Sequence, residues 1–147
     1  MLIQLLGAYL SGLSYSIAFN VPKKYLFYTG LTALLGSWMY LLSKMFSLPY
    51  PILFGGMVIA AVSNIFARLL KTPVTLFLIP GVLPLVPGVS IYRWIASFIA
   101  GDVNSSTYHL MNTLQTAGGI ALAFFLVDSV FRTRQWPGQK KEKADTD

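Results

Sequence analysis

The chain has 147 residues, of which 55% are hydrophobic and 11% charged, and it carries a net charge of +6. A soluble domain has about 25% charged residues, so this chain has too little polar surface to clothe an apolar core in water. Its basic residues lie between apolar runs and in the last sixteen residues, not on one face with interleaved aromatics, which argues against nucleic-acid binding. With no cysteine, disulfides, thiolate nucleophiles and Cys-based metal sites are excluded.

Five runs carry no Asp, Glu, Lys or Arg: residues 1–22, 25–43, 45–67, 72–92 and 103–127. Each is close to the roughly 20 residues that a helix needs to cross about 30 Å of hydrocarbon. In lipid, backbone polar groups must pair within the segment, so the runs are expected to be helical. The predicted fold is an all-α integral membrane protein of about five spans, near residues 2–19, 25–43, 50–67, 73–92 and 106–129. Together they form one transmembrane domain, 1–131, followed by a polar and disordered cytoplasmic tail, 132–147.

The first run lacks basic residues ahead of its apolar stretch, so it reads as a retained span rather than a signal peptide. If all five runs cross, Lys23, Lys24, Arg68, Lys71, Arg132, Arg134, Lys140, Lys141 and Lys143 share one side. Only Lys44 and Arg93 face the other. The positive-inside rule then predicts an outside amino terminus and a cytoplasmic carboxyl terminus. Tyr25, Tyr50, Trp94, Tyr108 and Trp136 near run ends suit an aromatic belt. In the third run, Gly56, Ala60 and Asn64 recur every four residues, a spacing that permits close helix approach.

The fourth run is the most informative. Between Pro80 and Ser90 stand Pro80, Gly81, Pro84, Pro87 and Gly88. Each proline removes a donor and clashes with the carbonyl four residues earlier, so a regular helix cannot continue through all of them. Freed carbonyls at membrane depth are tolerated only against protein or a water-filled cavity. That pattern predicts a discontinuous helix of the kind transporters use to present backbone dipoles to a substrate or ion. The competing reading is a kinked helix whose freed groups are satisfied by neighbours.

The fifth run opens with Asn104-Ser105-Ser106-Thr107, a capping region. His109, Asn112, Thr116 and Gly119 follow on one helix face and should look into the bundle. They line a pathway, or they bond helix to helix. Asp128 lies near the end of the run with Arg132 one turn on, so it forms an interfacial ion pair or acts, as His109 would, in proton or ion coupling. One histidine and five acids, three of them in the tail, supply no catalytic constellation, no metal site and no cofactor site, and no lysine-bearing phosphate loop is present. The chain is therefore not expected to be an enzyme.

Leu83-Pro84-Leu85-Val86-Pro87-Gly88-Val89-Ser90-Ile91-Tyr92, followed by Gly101-Asp102, resembles the signature of the threonine/serine exporter family. Phe19-Asn20-Val21-Pro22 resembles another element of that family's carboxyl-terminal half. The chain is similar to the smaller subunit of the two-component type, like the small subunit linked to succinate efflux in enteric bacteria. The resemblance implies secondary export of small polar metabolites across the bacterial plasma membrane, with a larger membrane subunit as partner. The substrate path is then expected at Pro80, Gly81, Pro84, Pro87, Gly88 and Ser90, with Asn20, Tyr92, Asn112 and Thr116 as the side chains beside it. A non-transporting scaffold for the larger subunit and a channel subunit are the alternatives.

Overall fold

The computed structural model describes residues 2–46 and 50–133, and every regular element among them is helical. The elements are α1 (Leu2–Ala18), α2 (Leu26–Leu42), α3 (Tyr50–Leu70), α4 (Thr75–Val82), α5 (Gly88–Ile99) and α6 (Val103–Thr133). Single 3-10 turns occupy Lys23–Tyr25, Ser43–Met45 and Leu83–Leu85. The basic tail residues Arg134, Lys140, Lys141 and Lys143, together with Trp136 and the side chain of Arg132, lie outside the described residues. So does the Asp128–Arg132 ion pair expected from the sequence.

Among the described residues three helical segments are long and apolar enough to cross a membrane: Lys23–Met45, Tyr50–Leu70 and Val103–Phe131. The segments Thr75–Leu85 and Gly88–Ile99 make a fourth if taken as one span bent by 46°. The expectation of about five spans therefore meets three, or up to four, helices of that kind. The difference lies in α1, which is apolar but has 17 residues, about 26 Å of helix against roughly 30 Å of hydrocarbon. The chain is a multi-pass membrane protein.

The helices pack in a row, α1 on α2, α2 on α3, α3 on α6 and α6 on α5, while α4 lies across α2 and α3 and touches α1. Lipid tails are as apolar as leucine, so close backbone approach rather than exclusion of water holds such a row together. The sequence supplies small residues where it is needed. A Cβ added at Gly12 would stand 2.7 Å from that of Ala33, and one at Gly56 would stand 2.9 Å from that of Ala123. Ala33, Ile59, Phe77 and Ala123 are fully buried. One interhelical hydrogen bond joins the first pair, from the Ser16 hydroxyl to Thr29 Oγ1 at 2.6 Å.

Phe77 of α4 anchors an aromatic chain. Its ring meets Tyr25 and Phe66 edge-on, each at 5.9 Å, and Phe66 meets Tyr28 at 5.2 Å. Tyr25 is thus part of the packing between α4 and the α1–α2 link rather than a free belt residue.

The bend falls in the second half of the Pro80–Ser90 stretch singled out by sequence. Pro80 stays inside α4, which is short enough to lose one hydrogen bond and continue. The chain direction changes between Leu85 and Gly88. Val86, held extended by the proline after it, has ψ 134°, and Pro87 takes φ −78° and ψ 47°. The Gly88 amide donates to the Val86 carbonyl at 2.8 Å, closing an inverse γ-turn over Pro87. α5 then runs on through Arg93 to Ile99, because one arginine ends an uncharged run without ending a helix.

α6 starts at Val103, upstream of the Asn104–Thr107 cap read from the sequence. Its cap is Asp102, whose Oδ1 accepts the Ser105 amide at 3.1 Å.

Candidate functional site

Three helices end in the same way. After α1, Val21 donates to the Ser16 carbonyl and Asn20 to that of Ile17. After α3, Thr72 donates to Ala67. After α5, Asp102 donates to Ser97 and Gly101 to Phe98. These are Schellman caps, with a left-handed residue just past the helix. Gly101 (φ 77°) suits that position, and Asn20 (φ 54°) tolerates it. Lys71 (φ 52°) is neither glycine nor asparagine, so a cationic side chain occupies a backbone position that strains it.

The Lys71 turn forms one wall of a cavity of about 800 Å³ at the end of the row where α3 stops and α4 begins. Asn64, Ala67, Arg68, Lys71, Thr72, Pro73, Val74, Asp128 and Phe131 line it. Asn64, Val74 and Asp128 also line a second cavity of about 280 Å³, with Ala60, Leu78, Phe124 and Phe125. On α3, α4 and α6 alike, those deeper residues stand one turn inward from the shared three. The two cavities therefore form a polar mouth and an apolar chamber along one groove, with Asn64, Val74 and Asp128 at the threshold. α3 floors the groove. α4 and α6 form its sides, with no close backbone approach between them among the described residues.

The mouth is polar and incompletely paired. Arg68 reaches across the groove, donating to the Phe131 carbonyl at 2.8 Å with its guanidinium 4.8 Å from the Phe131 ring centroid. It thereby satisfies one of the orphan carbonyls at the end of α6. Asn64 Nδ2 donates to the Ala60 carbonyl at 2.9 Å. Thr72 Oγ1 is buried with no hydrogen-bond partner. The other such hydroxyl, that of Ser63, lines none of these cavities. Among the described residues no ion pair engages Asp128 or Lys71.

The remaining candidates are scattered. Asn20 and Pro80 share a cavity of about 260 Å³ with Pro73, Thr75 and Leu76. The α1–α2 and α3–α4 links therefore stand at the same end of the row, with Lys23, Lys24, Arg68 and Lys71. Pro84 and Leu85 instead line a cavity of about 360 Å³ at the opposite end, with Gln4, Ser11, Ser37 and Lys44. Gly81 is buried against Thr32, where an added Cβ would come within 2.9 Å. Pro87, Gly88, Ser90 and Tyr92 line none of these cavities, and Tyr92 is 72% exposed.

On α6, Thr116 is buried and Asn112 and His109 half-buried, so that stripe is a packed face. Its hydroxyls are turned inward on the helix itself. Thr116 donates to the Asn112 carbonyl and Thr113 to that of His109, both at 2.8 Å. His109 meets the Tyr108 ring edge-on at 5.4 Å. Of the candidate site residues Asp128 alone lines the groove mouth, and Asn64, singled out by sequence for its packing spacing, lines it too. Arg68, Lys71 and Thr72 were missed as site residues. The one available signal was that two of these cations precede a Thr-Pro helix junction.

The sequence profile described as Threonine/Serine exporter, ThrE, matches residues 4–130. No curated protein and no solved structure matches the chain. The matched stretch takes in the break and the groove, Phe131 excepted. The chain belongs to the threonine/serine exporter family, a family of membrane transporters rather than enzymes.

Proposed function

We propose that this chain is the smaller subunit of a hetero-oligomeric secondary exporter of small polar metabolites in a bacterial plasma membrane. The exported class is threonine/serine-type amino acids or dicarboxylates such as succinate. The observation that carries this reading is the groove on α3. It is open between α4 and α6, it bears Asp128 and Lys71 with no ion pair among the described residues, and all of its lining but Phe131 lies within the stretch that matches the exporter family. A carboxylate facing lipid is expensive, so a larger membrane subunit is expected to roof the groove.

The cationic end, with Lys23, Lys24, Arg68 and Lys71, then faces the cytoplasm and the amino terminus faces outside. Substrate enters at the groove mouth and leaves past the broken segment, with Pro80, Gly81, Pro84, Pro87, Gly88 and Ser90 as the path. Asn20, Tyr92, Asn112 and Thr116 adjoin it, and Asp128 or His109 couples the ion. Efflux of labelled threonine, serine and succinate is to be followed from cells with this chain alone, with a larger partner, or with neither. Efflux requiring both chains is the expected result. Absence of efflux in every combination, with both proteins confirmed in the membrane, would remove the reading. Replacing Pro87 and Gly88 with alanine is expected to abolish efflux at unchanged membrane level.

A second reading is a scaffold that assembles the larger subunit without touching substrate. It is favoured by α5, which buries no residue and exposes Val89, Tyr92, Phe98 and Ile99. A photoreactive substrate analogue separates the two, since a scaffold is not labelled.

A further inference from the structure

We infer that the cleft between the start of α1 and the close of α2 holds one anionic phospholipid, its phosphate at Lys44 and its ester carbonyls at Ser11 and Ser37. This cleft lies at the opposite end of the row from the groove. The inference stands apart from the export reading, since it concerns neither the groove nor the exported solute.

α1 and α2 approach closely where Gly12 meets Ala33. The cavity of about 360 Å³ extends from beside that crossing toward Gln4 and Lys44, with Pro84 and Leu85 as its third wall. Gln4 and Ser11 stand seven residues apart on α1, as do Ser37 and Lys44 on α2 and its closing 3-10 turn. Each pair therefore spans roughly 10 Å of helix. The polar lining is layered, with an amide and a cation at the rim and two hydroxyls deeper in. The Lys44 ammonium stands 5.8 Å from the centroid of the Tyr40 ring, which also lines the cleft.

The hydroxyls carry the argument. Ser14, Ser16, Thr32, Thr107, Thr113 and Thr116 each donate to the carbonyl four residues back, the ordinary resort of a helix hydroxyl away from water. Ser11 and Ser37 do not, and among the described residues they make no other hydrogen bond, although Ser37 is only 8% exposed. The Ser37 oxygen is not enclosed as those of Ser63 and Thr72 are, so it opens on the cleft. Gln4 and Lys44 likewise have no hydrogen bond or ion pair among the described residues.

All four side chains can donate, and no acid lines the cleft. They suit an acceptor with one negative charge. A zwitterion would leave its ammonium unanswered, and a dicarboxylate would bring two charges to one lysine. An anionic phospholipid has the required order: a monoanionic phosphate, then neutral ester carbonyls, then chains for the apolar wall of Ala8, Leu41 and Leu85. Basic pockets between membrane helices bind such headgroups. Gly7 keeps the place clear. A Cβ there would meet nothing within 4 Å, so no packing contact within the chain requires glycine at that position.

The full chain is extracted from vesicles of equal phosphatidylglycerol and phosphatidylcholine, and its retained lipid is identified by native mass spectrometry. One phosphatidylglycerol per chain is expected, favoured about fivefold over phosphatidylcholine, the effect of one cation at a membrane surface. Lys44→Gln should remove the preference. Gly7→Leu, which fills the open space, should remove retention of both lipids. Arg93→Gln should change nothing, because Arg93 is the other cation that the sequence places on this side and it does not line the cleft.

No retained lipid, or equal retention of the two lipids by the unaltered chain, overturns the site. So does a loss of preference in Arg93→Gln as large as in Lys44→Gln, or unchanged retention in Gly7→Leu. Glycerol 3-phosphate and inorganic phosphate in large excess should leave the lipid in place. Displacement by either would assign the cleft to a dissolved anion and overturn the lipid as its occupant.

Discussion

α4 and α5 come from adjoining stretches of apolar sequence on either side of Val86–Pro87, yet they live in different surroundings. α4 buries Phe77, Pro80 and Gly81 in a seat made by α1, α2 and α3, whereas α5 buries nothing and, among the described helices, packs on α6 alone. Apolar composition therefore does not fix environment in a membrane protein, because lipid and protein interior are equally oily. What separates the two is side-chain size at the contact. α4 brings Gly81 against Thr32 and Ile59, while the space around Gly88 at the start of α5 is open to at least 4 Å.

The largest expected effect tests that contrast directly. Phe77 is fully buried and meets Tyr25 and Phe66 edge-on, whereas Phe98 is 72% exposed. Phe77→Ala should destabilise by about 3–5 kcal/mol, and Phe98→Ala by no more than about 0.5 kcal/mol. Unfolding in detergent micelles measures both. Equal losses would erase the distinction between the two halves. A smaller contrast follows from the glycines. Gly81→Val should cost about 1–3 kcal/mol through overpacking, while Gly88→Val, with open space around it, should leave thermal stability nearly unchanged.

Beneath α4, the seat itself is held by packing more than by polar bonds. The Ser16 hydroxyl is within 2.6 Å of both Thr29 Oγ1 and its own helix's Gly12 carbonyl, so losing it still leaves Thr29 bonded to the Leu26 carbonyl. Ser16→Ala should therefore cost about 0.6 kcal/mol. A loss as large as that of Phe77→Ala would mean that hydrogen bonding, not close approach, builds the seat.

Much of this was legible in the sequence, and the residues show why the rest was not. Uncharged runs and proline density announce helices in a membrane and an interruption between Pro80 and Ser90, because backbone chemistry is local. The Gly56–Ala60–Asn64 spacing likewise foretells a packed ridge, and Gly56 does meet Ala123 of α6. Which face of α5 would be left bare depends on tertiary contacts that no periodicity encodes. The groove mouth was hidden for a similar reason. Arg68 and Lys71 look like topology signals in sequence, and only the Lys71 turn and the approach of Asp128 from 57 residues away, counted along the chain, bring them to one cavity.

The smallest effect concerns the joint between α5 and α6. Asp102 caps α6, and its hydrogen bonds to the Ser105 side chain and then to the Ser105 amide hold its carboxyl below the ordinary value of 3.8. Because the folded carboxyl binds its proton more weakly than the unfolded one, the cap contributes fully above 3.8. It fades as pH falls through the lower folded value. Amide exchange at Asn104–Ser106, corrected for its intrinsic pH dependence, should therefore quicken in that acid window while the amides of α4 stay protected. Asp102→Asn keeps a capping side chain without a titrating one, so it should flatten the acid response and leave exchange near neutral pH little changed. If α4 loosened along with the first turn of α6, the α5–α6 pair would be coupled to the seat that holds α4, and the two halves of the broken segment would not be independent.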